Sequence, residues 1–190
     1  MKTCRIIGLF SVLLLLSSSV SAQSWLKKEQ TQKKTEGWIE NFEQAKKEAK
    51  QFKQPMYVLF TGSDWCPWCI KLEKEALSTK EFLSFAKANL ILFKADFLRS
   101  KPVPAKLKRQ NDALARKFEV QGFPTAFLMH ADEDIFGRTG YQPGGGKAYV
   151  EHLTGMLKTE GIRVVSGKQQ KKALSPYEKM KAEREFAVPK

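Results

Sequence analysis

Cysteine is scarce in this chain, whose 190 residues include only Cys4, Cys66 and Cys69. Small secreted domains that depend on disulfides contain many more cysteines. Cys4 lies in an N-terminal segment with the pattern of a removable leader, so processing would leave a single pair of thiols. A bridge between Cys66 and Cys69 would close a loop too short to stabilise the fold much. A chemical role of the two thiols therefore explains the pair better than a structural one.

Histidine is equally scarce, and the sequence offers little to a metal ion. The two histidines, His130 and His152, are too distant in sequence to form the close second ligand pair of a small zinc module. A structural zinc site at the two cysteines would therefore lack two ligands. We expect neither a metal nor an organic cofactor.

A long membrane-spanning run is also missing at the N-terminus. The apolar stretch over residues 6–16 is about half the length that crosses a bilayer. It follows Lys2 and Arg5 and precedes Val20-Ser21-Ala22, which is the arrangement of a secretory signal peptide. We predict a signal peptide over residues 1–22 with cleavage after Ala22; the alternative is an uncleaved anchor.

Basic residues exceed acidic ones, 33 against 20, which gives a formal net charge of +13. Such a balance favours acidic partners, anionic lipid headgroups or polyanions, while a well-solvated basic surface is the simpler interpretation. The basic residues are not interleaved with stacking aromatics, and the predicted signal peptide exports the chain. Nucleic acid is therefore not an expected partner.

Composition divides the rest of the chain into three parts. Residues 23–35 are polar and lysine-rich and are predicted to be a linker, residues 36–160 form one compact domain, and residues 161–190 form a basic tail. Within the tail, Ser175-Pro176 followed by Glu178 is a helix-start pattern. A short basic helix there would contact anionic headgroups or an acidic partner; a frayed, solvated terminus is the alternative.

Apolar periodicity predicts an α/β domain. Apolar residues recur at helical spacing between Trp38 and Phe52, and the continuous apolar run from Met56 to Phe60 is typical of a strand covered on both faces. Further along the chain we predict helices after Cys69, over residues 105–118 and over residues 148–157, and strands over residues 90–93, 126–129 and 135–139. This order predicts a central mixed sheet, parallel first and ending in an antiparallel hairpin, with helices on both faces.

The motif Cys66-Pro67-Trp68-Cys69 stands where the predicted strand gives way to a helix, and two thiols at such a junction can exchange electrons. A cysteine at a helix start meets unpaired N–H groups and the positive end of the helix dipole, which favour its thiolate. Pro67 suits the first helical turn because its missing N–H is no loss there. We predict Cys66 as an exposed nucleophile and Cys69 as the resolving thiol of a redox-active Cys66–Cys69 disulfide.

Three features together resemble the thioredoxin superfamily: Trp65 before the cysteine motif, Gly122-Phe123-Pro124-Thr125 farther along, and Gly140 at the end of the last strand. The resemblance covers residues 37–158 and implies a thioredoxin fold. The stretch around the motif looks most like exported bacterial thioredoxin-like proteins, including the DsbH-type periplasmic oxidoreductases of chlamydiae and, more distantly, the C-terminal domain of DsbD. This implies a periplasmic location and a membrane electron-transfer partner that reduces the pair.

The resemblance also assigns residues opposite the thiols. It implies that Pro124 follows a cis peptide bond beside the pair, and that the backbone of Phe123 is offered to an extended substrate segment. It further implies that Thr125 lies against the thiols. A plain trans loop proline at position 124 is the alternative.

Two tryptophans, a lysine and one departure from the family pattern complete the predicted site. Trp65 and Trp68 either form an apolar rim that receives substrates or pack locally. Lys94 lines up with a lysine that many thioredoxins place behind the active site, where it would tune proton transfer; otherwise it is an ordinary strand-end residue. Many thioredoxins carry a buried aspartate on the strand before the motif, where this sequence reads Val58-Leu59-Phe60 without a carboxylate. The resolving thiol would then lose its proton to water, to Lys94, to a residue such as Glu73 or to the substrate.

The direction of electron flow depends on small energies. Strong oxidases stabilise their reduced thiolate, often with a histidine between the cysteines, whereas Trp68 carries no charge. We favour a reductase that forms a mixed disulfide on Cys66 with exported protein or peptide substrates. The alternatives are a disulfide oxidase or isomerase of the same fold and, in another class, a non-catalytic thioredoxin-like binding module localised by its basic tail.

Overall fold

The computed structural model describes residues 37–165, which form a five-stranded sheet flanked by helices. The predicted signal peptide, the linker and the tail after residue 165 lie outside the described residues. The strands are β1 (Trp38–Ile39), β2 (Met56–Thr61), β3 (Ile91–Asp96), β4 (Thr125–Met129) and β5 (Ile135–Thr139), in the spatial order β1-β3-β2-β4-β5.

Helices cover both faces of this sheet. They are α1 (Phe42–Phe52), α2 (Pro67–Leu72), α3 (Lys80–Asn89), α4 (Ala105–Lys117) and α5 (Gly145–Thr159), and a π-helical segment, Glu73–Leu77, continues α2. Helices α1 and α4 pack on one face, while α3, α5 and the π-helical segment pack on the other. Within residues 37–165, no helix has the length and apolar character needed to cross a membrane.

The pairing of the strands confirms the predicted mixed sheet. Strands β1, β3 and β2 are parallel, β4 is antiparallel to β2, and β5 is antiparallel to β4. Because β2 and β4 run in opposite directions, the end of β2 and the start of β4 lie at the same edge, where Phe60 pairs with Thr125. The loop that carries the cysteine pair therefore meets the loop that carries Pro124.

Strand β2 is the centre of the core. All six of its residues are buried, which confirms the prediction of a strand covered on both faces. Tyr57 and Leu59 join the apolar cluster under α3 and α5, whereas Val58 and Phe60 join the cluster under α1 and α4. A shift of one residue would exchange these two sets, so the packing fixes the register of β2.

The N-terminal helix is shorter than the sequence predicts. Trp38 belongs to β1 and pairs with Leu92, and α1 begins only at Phe42. Asn41 caps this helix, because its Oδ1 accepts the N–H of Gln44 at 2.9 Å. The helical spacing extends back to Trp38 by coincidence: its side chain packs against Tyr57 from an edge strand instead.

The closing helix begins earlier than predicted, among the glycines. Gly144 caps α5 with φ 104°, a left-handed conformation that favours glycine. A Cβ at Gly146 would lie 1.9 Å from Oγ1 of Thr79, just before α3. The glycines therefore let α5 start sooner and approach α3 closely.

A buried pair of tyrosines joins β2 to α5. The hydroxyls of Tyr57 and Tyr149 are 2.7 Å apart, and Tyr149 donates to the carbonyl oxygen of Gly140 at 3.2 Å. Both side chains are fully buried. Burial raises the pKa of Tyr149 to about 12, so its hydroxyl stays neutral at physiological pH.

Loss of the Tyr149 hydroxyl should destabilise the fold more than loss of the Tyr57 hydroxyl. Tyr149→Phe leaves the Tyr57 hydroxyl and the Gly140 carbonyl without this partner, and we expect it to lower the free energy of unfolding by about 1–3 kcal/mol. Tyr57→Phe should lower it by about 1 kcal/mol. Urea unfolding measures both, and the double variant should lose less than the sum. Additive losses would contradict the coupling.

Candidate active site

The cysteine pair lies at the junction of β2 and α2, as predicted. Strand β2 ends at Thr61, Cys66 caps α2, and Pro67 is the first helical residue. The backbone N–H of Cys69 donates to Sγ of Cys66 at 3.3 Å. An N–H from the first turn of the helix is thus directed at the sulfur. Both cysteines are free thiols.

The thiol of Cys66 is more buried than the sequence analysis predicts. Cys66 is 5% exposed and Cys69 is 2% exposed. Sγ of Cys66 lies 3.6 Å from the carbonyl oxygen of Phe123, so the loop before β4 closes over it. The prediction of an openly exposed nucleophile is therefore wrong in degree, because only a small edge of Cys66 faces solvent.

The thiol of Cys69 is held in its protonated form. Burial, followed by the hydrogen bond with Cys66, raises the pKa of Cys69 to about 11. Two groups act in the opposite direction: the N–H of Gly62, which donates to Sγ at 3.5 Å, and the hydroxyl of Thr61. Thr61 does not figure in the predicted site, since a threonine at a strand end carries no signal of such a contact.

The position behind the pair is apolar, as the sequence indicates. Phe60 is fully buried and packs edge-on against the ring of Phe127. The ammonium of Lys94 lies 5.7 Å from the ring centre of Trp38, and the carboxylate of Glu73 accepts a hydrogen bond from a serine hydroxyl at 2.9 Å. Each of these charged groups thus has a partner other than the thiols.

The loop before β4 adopts the conformation that the resemblance implies. The Phe123–Pro124 peptide bond is cis, and the carbonyl of Phe123 faces Cys66. The hydroxyl of Thr125 donates to the carbonyl oxygen of Gly122 at 2.8 Å. Thr125 therefore closes the loop on itself through this hydrogen bond.

Trp65 packs locally, which is one of the two predicted alternatives. Its Nε1 donates to the carbonyl oxygen of Phe97 at 2.7 Å, and its ring meets that of Phe123 edge-on. A Cβ at Gly62 would lie 2.5 Å from the indole, so the glycine makes room for the ring. Trp65 thereby joins the motif to the loop after β3.

Trp68 projects from the other side of the motif and is 54% exposed. Its ring centre lies 5.3 Å from that of Tyr141. The ammonium of Lys71 lies 5.3 Å from the Trp68 ring centre and 5.0 Å from the Tyr141 ring centre. The hydroxyl of Tyr141 donates to Glu75 at 2.6 Å. Sequence reasoning missed Tyr141 and Lys71, because their contact joins segments far apart in the chain.

Two aspartates tie the motif loop to the end of β3 and to the loop that follows it. Asp64 accepts the backbone N–H of Arg99 at 3.1 Å and that of Ser100 at 2.7 Å, and the Ser100 hydrogen bonds lower the pKa of Asp64. Asp96 accepts the N–H of Ser63 at 3.0 Å and its hydroxyl at 2.6 Å. In residues 37–165, no three histidine, cysteine or carboxylate side chains are grouped closely enough to hold a metal.

Comparisons with known proteins identify the family and the fold of this chain. The family profile of the thioredoxin-like domain matches residues 42–151. "Disulfide bond reductase DsbH" of Chlamydia pneumoniae is 36% identical over 119 residues, 63% of this chain and 72% of that protein. A solved structure of a DsbH oxidoreductase superposes with a TM-score of 0.62 at 32% identity, covering 72% of this chain and 99% of that one. The predicted resemblance is confirmed.

A more distant solved structure agrees in fold. A thioredoxin from Thermus thermophilus superposes with a TM-score of 0.50 at 18% identity, over 65% of this chain and 88% of that one. The predicted thioredoxin fold is confirmed on both the strand order and these superpositions.

The titration of Cys69 tests the geometry of the site. In the reduced protein, we expect the ¹³Cβ signal of Cys69 to titrate with a midpoint of about 11, well above the value of about 8.5 for an unperturbed cysteine. The folded thiol keeps a proton that the unfolded chain releases at lower pH. Stability should therefore fall as the pH rises from about 8.5 to about 11.

Thr61→Val provides the matched comparison. It removes the hydroxyl that lowers the pKa of Cys69 while keeping the shape of the side chain, so the midpoint should rise further. Thr154→Val, on α5, should leave the midpoint unchanged. A Cys69 midpoint near the unperturbed value, or equal midpoints in the wild type and Thr61→Val, would contradict the geometry.

Proposed function

This chain belongs to the thioredoxin-like family and is a thiol-disulfide oxidoreductase, and we propose that it reduces disulfides of exported proteins through a mixed disulfide on Cys66. The proposal is carried by the surroundings of Cys66, whose Sγ accepts the N–H of Cys69 and lies 3.6 Å from the carbonyl oxygen of Phe123. The sulfur of Cys66 at the start of α2, the thiol of Cys69 and the backbone of Phe123 thus lie next to one another.

The reaction proceeds by two exchanges. In the first, the thiolate of Cys66 attacks one sulfur of the client disulfide, the client S–S bond breaks, and the released client thiolate takes up a proton. In the second, Cys69 gives up its proton and attacks Sγ of Cys66, which releases the second client thiol. The client gains two electrons and two protons, and the protein is left with a Cys66–Cys69 disulfide.

The two thiols differ in the way these roles require. Cys66 caps α2, where the helix N-terminus and the N–H of Cys69 favour negative charge on sulfur, and Pro67 fixes the first turn. Cys69 is buried and protonated, so it waits as a thiol until Cys66 is bound to a client. Attack therefore starts at Cys66, and resolution starts at Cys69.

An extended client segment fits beside the sulfur. The cis Phe123–Pro124 bond turns the backbone of Phe123 toward Cys66, and the hydroxyl of Thr125 holds this loop through Gly122. The exposed ring of Trp68 supplies an apolar edge on the opposite side. We assign substrate binding to these groups.

Reduction is favoured over oxidation for two reasons. The DsbH relative carries the name "Disulfide bond reductase". In addition, Trp68 places no charge between the cysteines that would stabilise the reduced thiolate, and a tenfold change in the exchange equilibrium corresponds to about 30 mV. Oxidase or isomerase activity of the same fold is the alternative, and a measured reduction potential distinguishes it from reductase activity.

The proposed setting is the periplasm. Residues 1–22 are proposed as a signal peptide, residues 23–35 as a linker, residues 36–160 as the catalytic domain and residues 161–190 as a basic tail. Each turnover consumes two electrons, so an electron-transfer protein of the membrane is proposed to reduce the pair again. The basic tail is proposed to contact an anionic surface.

Trapping of mixed disulfides tests the role of Cys66. A Cys69→Ser variant keeps the nucleophile but cannot release it, so expression in an exported form should yield covalent adducts with client proteins on Cys66. Non-reducing electrophoresis followed by mass spectrometry detects them, and a reducing agent should release them.

The Cys66→Ser variant is the matched control and should form no adducts. Equal adducts on both variants would move the attacking role to Cys69. The absence of adducts on Cys69→Ser would contradict the mixed-disulfide route.

The reduction potential tests the direction. Equilibration with glutathione should give a value near the thioredoxin value of about −270 mV and far from the DsbA value of about −120 mV. The reduced protein should also reduce insulin disulfides when dithiothreitol recharges it. A potential close to that of DsbA would favour the oxidase alternative instead.

A substitution inside the motif calibrates this measurement. Trp68→His introduces a group that stabilises the Cys66 thiolate, so the potential should become more oxidising. Ile70→His, which lies just outside the cysteine pair and is exposed, should change it less.

A further inference from the structure

A cavity of about 460 Å³ lies next to the cysteine motif, between the loop after β3 and the start of α4. Three aromatic rings, Trp65, Phe97 and Phe123, line it. The Phe97 and Phe123 rings stack at 4.9 Å, and the Trp65 ring meets Phe123 edge-on at 6.0 Å. Phe123 lines the cavity with its ring and directs its carbonyl oxygen at Cys66, so this one residue connects the cavity to the reacting sulfur.

The charged side chains of this cavity are mainly cationic, and its carboxylates are already engaged. Arg99, Lys101 and Lys108 are cations, and the two anions are Asp96 and Asp112. Asp96 accepts two hydrogen bonds from a serine, and Asp112 forms an ion pair of 2.7 Å with Lys108. Among the residues that the structure describes, Arg99 and Lys101 have no carboxylate within ion-pair distance.

Arg99 is held in position before any ligand binds. Its guanidinium lies 3.5 Å from the ring centre of Trp65, and its backbone N–H donates to Asp64. Stacking uses the face of the guanidinium and leaves the N–H groups in its plane free to bind a carboxylate. A fixed donor set loses little entropy on binding.

We propose that this cavity is a specificity site for client segments in which an apolar side chain is followed by an acidic one. The apolar side chain would contact the rings of Phe97 and Phe123, and the carboxylate would bind Arg99 and Lys101. The inference rests on the proposed function, because it names the class of client that the cysteine pair reduces. Charge complementarity selects this occupant over an uncharged or basic segment.

Matched peptides test the preference. Each short peptide carries one cysteine as a mixed disulfide with 2-mercaptoethanol. The two peptides of a pair differ only in that one contains Phe-Glu and the other Phe-Gln. One pair has this dipeptide before the cysteine, and a second pair has it after the cysteine. Stopped-flow measurement with the reduced protein should give a rate about five- to tenfold higher for the Phe-Glu peptide in one of the two placements. Exchange of Phe for Ala in that peptide should remove most of the advantage.

Two double variants separate the cavity from the general basic charge. Arg99→Gln with Lys101→Gln should bring the ratio of the Phe-Glu and Phe-Gln rates close to one. Lys106→Gln with Arg109→Gln removes the same charges from exposed positions on α4 that do not line the cavity, and should keep the wild-type ratio. Thermal unfolding checks that both variants are folded.

The outcomes distinguish this inference from the function on which it rests. Equal Phe-Glu and Phe-Gln rates in both placements, with normal reduction of the small uncharged disulfide of 2-mercaptoethanol, would overturn the specificity site alone. The same ratio in both double variants would also overturn it, since bulk charge would then explain the preference. No reduction of any peptide or of the small disulfide would overturn both proposals.

Discussion

Phe60 pairs with Thr125 across β2 and β4, and this register sets the distance between the two halves of the site. From Phe60 the chain continues through Thr61 and the turn to Cys66, while Thr125 is preceded directly by the cis Phe123–Pro124 bond. Since β2 is buried on both faces, a slip by one residue would exchange its two apolar sets between the two core clusters, so the core itself holds the register. The contact between Cys66 and the Phe123 carbonyl depends on that packing.

The second cysteine shows how the same core sets the chemistry. Cys69 sits on the first turn of α2 against an apolar interior, and desolvation is the largest influence on its pKa. The strand before the motif offers no carboxylate at Val58, Leu59 or Phe60, and the polar groups that lower the pKa of this thiol are the N–H of Gly62 and the hydroxyl of Thr61. These groups solvate a thiolate but accept no proton at neutral pH. In the proposed mechanism, the Cys69 proton is therefore transferred to a group other than these two, such as water or the departing client thiolate.

The sequence predicts what is local and leaves out what is brought together by folding. Strand β2 and the cysteine motif follow from apolar runs and helix-start chemistry, and the loop at Pro124 follows from a family pattern. Strand β1 has two residues, too few for a period, and its Trp38 happened to extend the spacing of α1. No sequence pattern marks Arg99 or Tyr141 as part of the site. Arg99 contacts Trp65 and Tyr141 contacts Trp68, and in both cases the partner is distant in the chain.

The indoles of Trp65 and Trp68 lie in different surroundings, so the two sides of the site differ. Trp65 is hydrogen-bonded to Phe97 and stacked under Arg99, so its side is a fixed cavity with a cation at its rim. Trp68 is exposed and is supported from beneath by Tyr141 and Lys71, so its side is an open apolar edge. In the proposed mechanism a client that crosses Cys66 contacts both sides, and Arg99 and Lys101 on the Trp65 side are the cations proposed to bind its carboxylate. We therefore assign the proposed discrimination by charge to the Trp65 side, while the exposed Trp68 ring adds apolar contact and its neighbouring cation, Lys71, is already paired with Glu75.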